Sequence, residues 1–472
     1  MSESKAFARL VEEGAPTAEV LSLNNFMATI TTLPGALVNA TVLFANGAEA
    51  LVWRINRTTI DVLLLNDNAV HANEMVVLFK SQLTLPVSKK LLGRIINPLG
   101  KPLDGKGFLY SKDEVEYFKN APGLSARDAV KEPLESGVTV VDTLFPLAKG
   151  QRMAVMGDSK SGKTSFMIQT AIHQARAGQT VIYVLISKSR NELNRIVHAF
   201  DKAKVRNKVV LVVADVTEPL AVGFLGPYAG CAIGEYFWYA GKDVTVVYDD
   251  FTNHAKIYRE MALLMGQSVG REAYPGDMFH VHAALLERAG KLKETSSSLS
   301  VLVAGSTPNN DLSDFQSTRL ISMSDGQIVF DISSLHEGNK PAINIDLSVS
   351  RIGGGNNNYL DSGVTDAVKK ALGRFKQAKA MTSFIEQVSE VSRLDVALGN
   401  RLTEAMQQQP DEFYSFPQQR LLLKAILDNP NPASLNVIWL KDQVQAIKQS
   451  RTYNNKDIDS IKDKLIKKAQ KQ

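Results

Sequence analysis

Residues 157–164 read GDSKSGKT, directly behind the apolar run MAVM (153–156) and ahead of TSFMIQTAIHQARA. A glycine, four free positions and Gly-Lys-Thr form a turn whose backbone N–H groups converge on an anion; the turn needs a strand to end before it and a helix to begin at its close. Gly157 and Gly162 permit a close approach of backbone to phosphate oxygens, and the helix start adds partial positive charge. Gly157, Asp158, Ser159, Lys160, Ser161, Gly162, Lys163 and Thr164 are therefore the candidate nucleotide-binding residues. Lys163 is placed to reach β- and γ-phosphates, and the Thr164 hydroxyl to ligate Mg²⁺. The expected cofactors are ATP or ADP with Mg²⁺. The loop does not say whether the nucleotide is turned over.

Four further apolar runs have the length of buried strands: VIYVLI (181–186), VVLVVA (209–214), VTVVYD (244–249) and LSVLVAG (299–305). Helix-period segments such as NELNRIVHAF and AKIYREMALLM lie between them, which predicts a mostly parallel sheet covered on both faces. Asp249 closes one of these strands and is the candidate Mg²⁺ residue, holding the ion directly or through water. Before this region, residues 20–78 alternate short β-branched runs with PG, NG and ND turns, as in a small barrel or sandwich. After GGGNNN (353–358), which reads as a linker, the text turns helical and polar. The predicted fold is multidomain: an N-terminal β-barrel domain (1–79), a central α/β phosphate-loop NTPase domain (80–355) and a C-terminal α-helical domain (356–472).

Composition narrows the function classes. The 472 residues are 44% hydrophobic and 22% charged, so a large core is available. The net charge of +5 is small for this length and gives no argument for nucleic acid as a partner. The basic tail IKDKLIKKAQKQ reads as a solvated helix face or frayed terminus. A single cysteine, Cys231, excludes an internal disulfide and fits a reducing compartment. There is no signal-peptide pattern, and no run approaches the ~18 apolar residues of a membrane span, so partners would recruit the chain to any membrane. His280 and His282 are expected to share a strand face as core histidines rather than metal ligands. Trp53, Trp238, Trp439 and DEFYSF near residue 411 are read as packing residues.

Several longer stretches carry a resemblance. LLGRIINPLGKPLDGKG (91–107), EPLESGVTVVDTLFPLAKGQR (132–152), GPYAGCAIGEYF (226–237), GREAYPGDMFHVHAALLERA (270–289), ISMSDGQI (321–328) and PAINIDLSVSRIG (341–353) stand in the order found in the α subunits of F-type ATP synthases. The resemblance covers most of the chain, from about residue 20 to past 400. It implies a RecA-like nucleotide domain in a ring of three α and three β subunits around a γ-like central stalk, reaching the membrane sector indirectly, cytoplasmic and peripheral on the inner face of the cell membrane. It also implies an α site that binds Mg-ATP with little turnover, and an arginine, here Arg351, that reaches the catalytic nucleotide of the neighbouring β subunit. Catalytic subunits of the family carry a glutamate shortly after the strand following the loop helix; the aligned residue here is Lys188. Glu192 is expected instead to be a first-turn helix carboxylate.

The sequence also departs from that pattern. The barrel text begins almost at once, which puts the family's peripheral-stalk contact in doubt. The adenine-side aromatic-Arg-Pro pattern becomes Leu335 and Lys340 before Pro341, and the later glutamine pair aligns poorly with QQQP (407–410). These departures resemble the diverged ring ATPases of mycoplasmas, coupled to other membrane or motility machinery. A self-catalytic export-type ATPase is opposed by Lys188. An RNA-helicase-type motor would expect exposed aromatics near the N-terminus, where Phe7, Phe26, Phe44, Trp53 and Phe79 lie mostly within apolar runs.

Overall fold

Alternation of apolar and polar residues between turn signals closes the first part of the chain into a barrel. In the computed structural model, which describes residues 3–24, 26–66, 68–352, 362–382, 390–447 and 455–469, its strands run Thr17–Asn24, Met27–Thr31, Thr59–Leu64, Glu49–Ile55, Thr41–Phe44 and Met75–Lys80 in spatial order. Every neighbouring pair is antiparallel. Val20, Ile30, Val42, Phe44, Val52 and Val62 fill the interior at alternate positions. Gly47, at φ 86°, makes the NG turn between the third and fourth strands in sequence, and Phe44 N–H closes it on Ala48 O at 2.9 Å. Ahead of the barrel, helix Glu3–Glu12 brings Ser4 against Gly47.

The chain forms two compact units, each assembled from two segments: Met1–Asp128 with Gly178–Gly305, and Ala129–Ala177 with Ser306–Gln472. Beyond the barrel, the first unit carries parallel strands in the order Ile95–Ile96, Val209–Asp215, Thr180–Lys188, Val244–Asp249 and Ser298–Ser306. Residues 181–186 are all fully buried, as both faces of a parallel sheet require. Helix Leu220–Tyr239 covers one face through a row of glycines. A Cβ on Gly230 would lie 2.2 Å from Val184 Cγ2, and one on Gly234 would lie 3.0 Å from Val246 Cγ2, so the backbone itself rests on the strands.

In the second unit, strand Arg152–Gly157 pairs in parallel with Gly326–Phe330, whose other side carries the short antiparallel Val349–Ser350. Helices Ser362–Thr382, Glu390–Met406, Phe416–Leu427, Val437–Gln445 and Asn455–Ala469 follow. The predicted linker 353–358 lies outside the described residues. The last helix buries Ile458 and Leu465 and exposes Lys464, Lys467 and Lys468, a solvated basic face. Among the described residues, no helix is long and apolar enough to cross a membrane.

One expectation is corrected. His280 and His282 lie on helix Met278–Leu286, not on a strand, so positions two apart face different ways: His280 is exposed and His282 buried. His282 Nε2 stands 2.8 Å from His254 Nδ1, whose other ring nitrogen is 2.9 Å from Phe224 O. Burial pushes His254 down to about 4, so it is neutral near pH 7 and the pair is a packed core contact.

Candidate functional site

Strand Arg152–Gly157 ends in the loop and helix Lys163–Arg176 begins on its last turn. Gly157 has no room for a side chain: a Cβ there would meet Phe330 O at 2.7 Å and Ser161 Oγ at 2.8 Å. Lys160 (φ 61°) and Gly162 (φ 109°) hold left-handed backbone, which folds the loop back over the helix start. Asp158 secures one side, its carboxylate accepting from Ser159 N–H at 2.6 Å and Asn309 N–H at 3.1 Å, its carbonyl from Ser161 Oγ at 2.8 Å. The Lys163 ammonium lies inside the turn, donating to Gly157 O at 2.5 Å and Asp158 O at 2.7 Å. A tight glycine turn, a helix start and a cation drawn to its centre fit a phosphate chain. Thr164 stands in the first helical turn, half-buried.

The parallel register of Thr180–Lys188 and Val244–Asp249 sets Leu185 beside Asp249, and this brings Lys188 to the strand end where the carboxylates lie. Lys188 Nζ is 2.9 Å from Asp249 Oδ1 and 3.4 Å from Asp250 Oδ2. The other Asp249 oxygen accepts from the Tyr183 hydroxyl at 3.1 Å, and the other Asp250 oxygen accepts from Asn253 N–H at 2.8 Å, capping helix Phe251–Leu264. Burial works against the lysine's charge, but the two carboxylates outweigh it and hold its pKa above the ordinary value. Burial and the Asp249 charge raise Tyr183, which stays a neutral donor. Asp249, expected to hold Mg²⁺, thus has each oxygen engaged by the protein, and the arrangement fits an internal ammonium better than a metal. Glu192 completes a capping box with Ser189 at the start of helix Arg190–Lys202, as the sequence suggests.

A cavity of about 160 Å³ in the second unit is lined by Asn339, Lys340, Pro341, Ile343, Met406 and Gln407, among others. The structure therefore brings Gln407, from the poorly aligned QQQP stretch, beside Lys340 and Pro341, while Leu335 is not in the lining. Gln408 turns inward, accepting from Thr139 N–H at 3.1 Å and donating to Gly137 O at 2.6 Å. Arg351 follows edge strand Val349–Ser350 and is exposed, its guanidinium donating to Ser324 O at 3.0 Å at the carboxyl end of helix Phe315–Met323. Carbonyls at a helix end favour a cation there.

Sequence reasoning missed Tyr183 and Asp250 as partners of Lys188 and Asp249. The only signal for them is the pairing register of strands, which does not show in local text.

A parallel sheet, a glycine turn on its strand end and a helix opening on Lys163 define a phosphate-loop nucleotide-binding protein. Residues 137–350 match the description "ATP synthase alpha/beta family, nucleotide-binding domain". The ATP synthase subunit alpha of Petrotoga mobilis (strain DSM 10674 / SJ95) is 37% identical over 361 residues, covering 76% of this chain and 72% of that relative. The chain belongs to the ATP synthase alpha/beta family, as an α subunit of the F-type ATPases.

Proposed function

We propose that this chain is the non-catalytic, regulatory subunit of a ring ATPase: it holds ATP or ADP on residues 157–164, alternates with β subunits around a γ-like stalk, and donates Arg351 to the neighbouring catalytic site. The observation that carries the reading is Lys188. Hydrolysis needs an acceptor that orients or deprotonates water, and a protonated lysine has no lone pair for it. Here that lysine is bound to Asp249 at 2.9 Å, at the position where a catalytic subunit has its glutamate. Nucleotide bound on such a site supplies a fixed polyanion that the loop and Lys163 hold in place. The exposed position of Arg351 supports a role in trans, since an arginine aimed at a partner's transferring phosphoryl group spreads its developing charge.

In this reading the barrel (1–79), nucleotide (80–355) and helical (356–472) regions are the three domains of the ring subunit, on the inner face of the cell membrane and attached to the membrane sector through other subunits. The lysines at positions 188 and 340 favour a diverged, F-like ring.

The test is a reconstituted α/β ring. Arg351→Ala should lower steady-state ATP hydrolysis by about 10³ to 10⁵, while nucleotide retained by the α chain is unchanged. Lys163→Ala should do the reverse, emptying the α site and sparing most turnover. Hydrolysis persisting in rings whose β loops are disabled would sink the non-catalytic assignment.

A further inference from the structure

Gly373 stands in the middle of helix Ser362–Thr382, where only proline is less favourable than glycine. Elsewhere in the second unit such a glycine is explained by contact: a Cβ on Gly399 would lie 2.1 Å from Phe375 Cγ. A Cβ on Gly373 would meet nothing within 4 Å among the described residues outside its own helix. No packing inside the chain requires the missing side chain. Gly373 instead lines a groove of about 550 Å³, which lies wholly in the second unit between this helix, the end of helix Thr139–Leu144 and residues 345–346. Leu144, Ile345, Leu372 and Phe375 give the groove apolar walls. Lys369, Lys376 and Lys379 line it as well, and all three are exposed. Spacings of three and four place these lysines on the same helix face as Leu372 and Gly373. Lys376 Nζ meets Asp346 Oδ2 at 2.7 Å, and the Lys379 ammonium stands 5.8 Å from the centre of the Phe375 ring. Among the described lining residues Asp346 is the one carboxylate against three ammonium groups, so the groove keeps a net positive charge.

Small-molecule sites are mostly apolar, carry a few polar groups that fix orientation, and span about 300–1,000 Å³. Apolar walls under a cationic rim select a molecule with a compact apolar body and an anionic end. A groove walled by three elements is closed to the flat face of a bilayer, so its occupant comes from solution. We propose that this groove binds a soluble amphiphilic anion, a medium-length acyl or aryl chain ending in a carboxylate or phosphate. The body lies across Gly373 between Leu144 and Phe375, and the head among Lys369, Lys376 and Lys379. The glycine is then kept for the ligand, because a larger residue at 373 would stand where the ligand's body lies. The groove shares no lining residue with the loop 157–164, and binding there does not depend on the nucleotide reading.

The experiment is isothermal titration calorimetry of the full-length chain with octyl phosphate below its micelle concentration, and with octanol as the neutral control. The wild type should bind octyl phosphate about tenfold tighter than octanol or better. Gly373→Leu should weaken octyl phosphate binding by about tenfold or more. It should also melt no lower than the wild type, because leucine favours the helix and has room there. The double variant Lys369→Gln, Lys379→Gln should lose the preference over octanol. Absence of octyl phosphate binding by the wild type, or equal affinity for the two compounds, overturns the proposal. So does Gly373→Leu binding at wild-type strength. Sedimentation of the wild type with phosphatidylglycerol vesicles, abolished by Gly373→Leu, would overturn the soluble source in favour of a lipid. If Gly373→Leu does not fold, the lysine double variant decides, and a preference for octyl phosphate that it retains overturns the assignment to this groove.

Discussion

Asp104 shows how much a single buried charge carries in this chain. Its carboxylate meets Arg94 Nε at 2.6 Å and Nη2 at 3.0 Å and accepts from the Ile95 and Lys106 amides; the side chain is 7% exposed. Burial alone would raise its pKa, but the Arg94 hydrogen bonds and the two amides prevail and bring it down to about 2. A depressed carboxylate stabilises the fold above its unfolded pKa near 3.9, and that stability is lost as pH falls toward the folded value, a swing of about 2.5 kcal/mol. Asp104→Asn should therefore lower the unfolding free energy by about 3 kcal/mol at pH 7, because Arg94 is left buried without its counter-charge. Urea midpoints of the two proteins should converge as pH drops from 4 toward 2. A gap that keeps its size would assign the loss to packing. Residues of this kind divide sharply by legibility. The place of Lys163 and Thr164 at a helix start just behind a strand was readable because the motif that sets it is local. The Tyr183–Asp249–Lys188 cluster was not, because strands distant in sequence bring it together, and register leaves no trace in composition.

Elements were readable where period and burial agree. The runs at 181–186, 209–214 and 244–249 are strands, and NELNRIVHAF lies within a helix, because four to eight apolar residues between turns have few other solutions. The HVH of residues 280–282 failed for the converse reason: polar-apolar alternation over three residues is also met on a short helix with a narrow buried face. Helix Leu220–Tyr239 shows what a pattern of types cannot convey, since its glycines look like a liability in a helix. Their role is contact distance. Gly230→Ala gains about 1 kcal/mol of helix propensity. Against that it places a methyl group 2.2 Å from Val184 Cγ2. Overpacking a tight interface costs about 1–3 kcal/mol, so the net change should be destabilising. Thermal melts of Gly230→Ala, Val184→Ala and the double variant form the cycle. The double variant should be more stable than the sum of the single losses predicts, and strict additivity would mean that the helix shifts instead of clashing.

At the scale of the whole molecule, compactness does not follow the chain. The loop helix and the C-terminal helices belong to one unit although about two hundred residues of sequence separate them, and no composition shift announces it. The joint is the segment 408–413. Gln169, on the loop helix, donates to Glu412 O; Gln408 ties to Thr139 and Gly137; Phe413 stacks on His173 and lies under the Arg176 guanidinium at 4.5 Å. Gln407, one residue earlier, lines the cavity beside Lys340 and Pro341. An opening that frees residues 408–413 therefore also releases the loop helix from its support. A ligand that requires this region closed must slow such openings by mass action, by about 2.7 kcal/mol at a hundredfold excess over Kd. Amide exchange with ATP present should accordingly slow in residues 408–427 as well as in 157–176, and Lys163→Ala should abolish both effects together. Protection confined to 157–176 would mean that the C-terminal helices open without disturbing the nucleotide, and that the hydrogen bonds of Gln169 and Gln408 do not couple them.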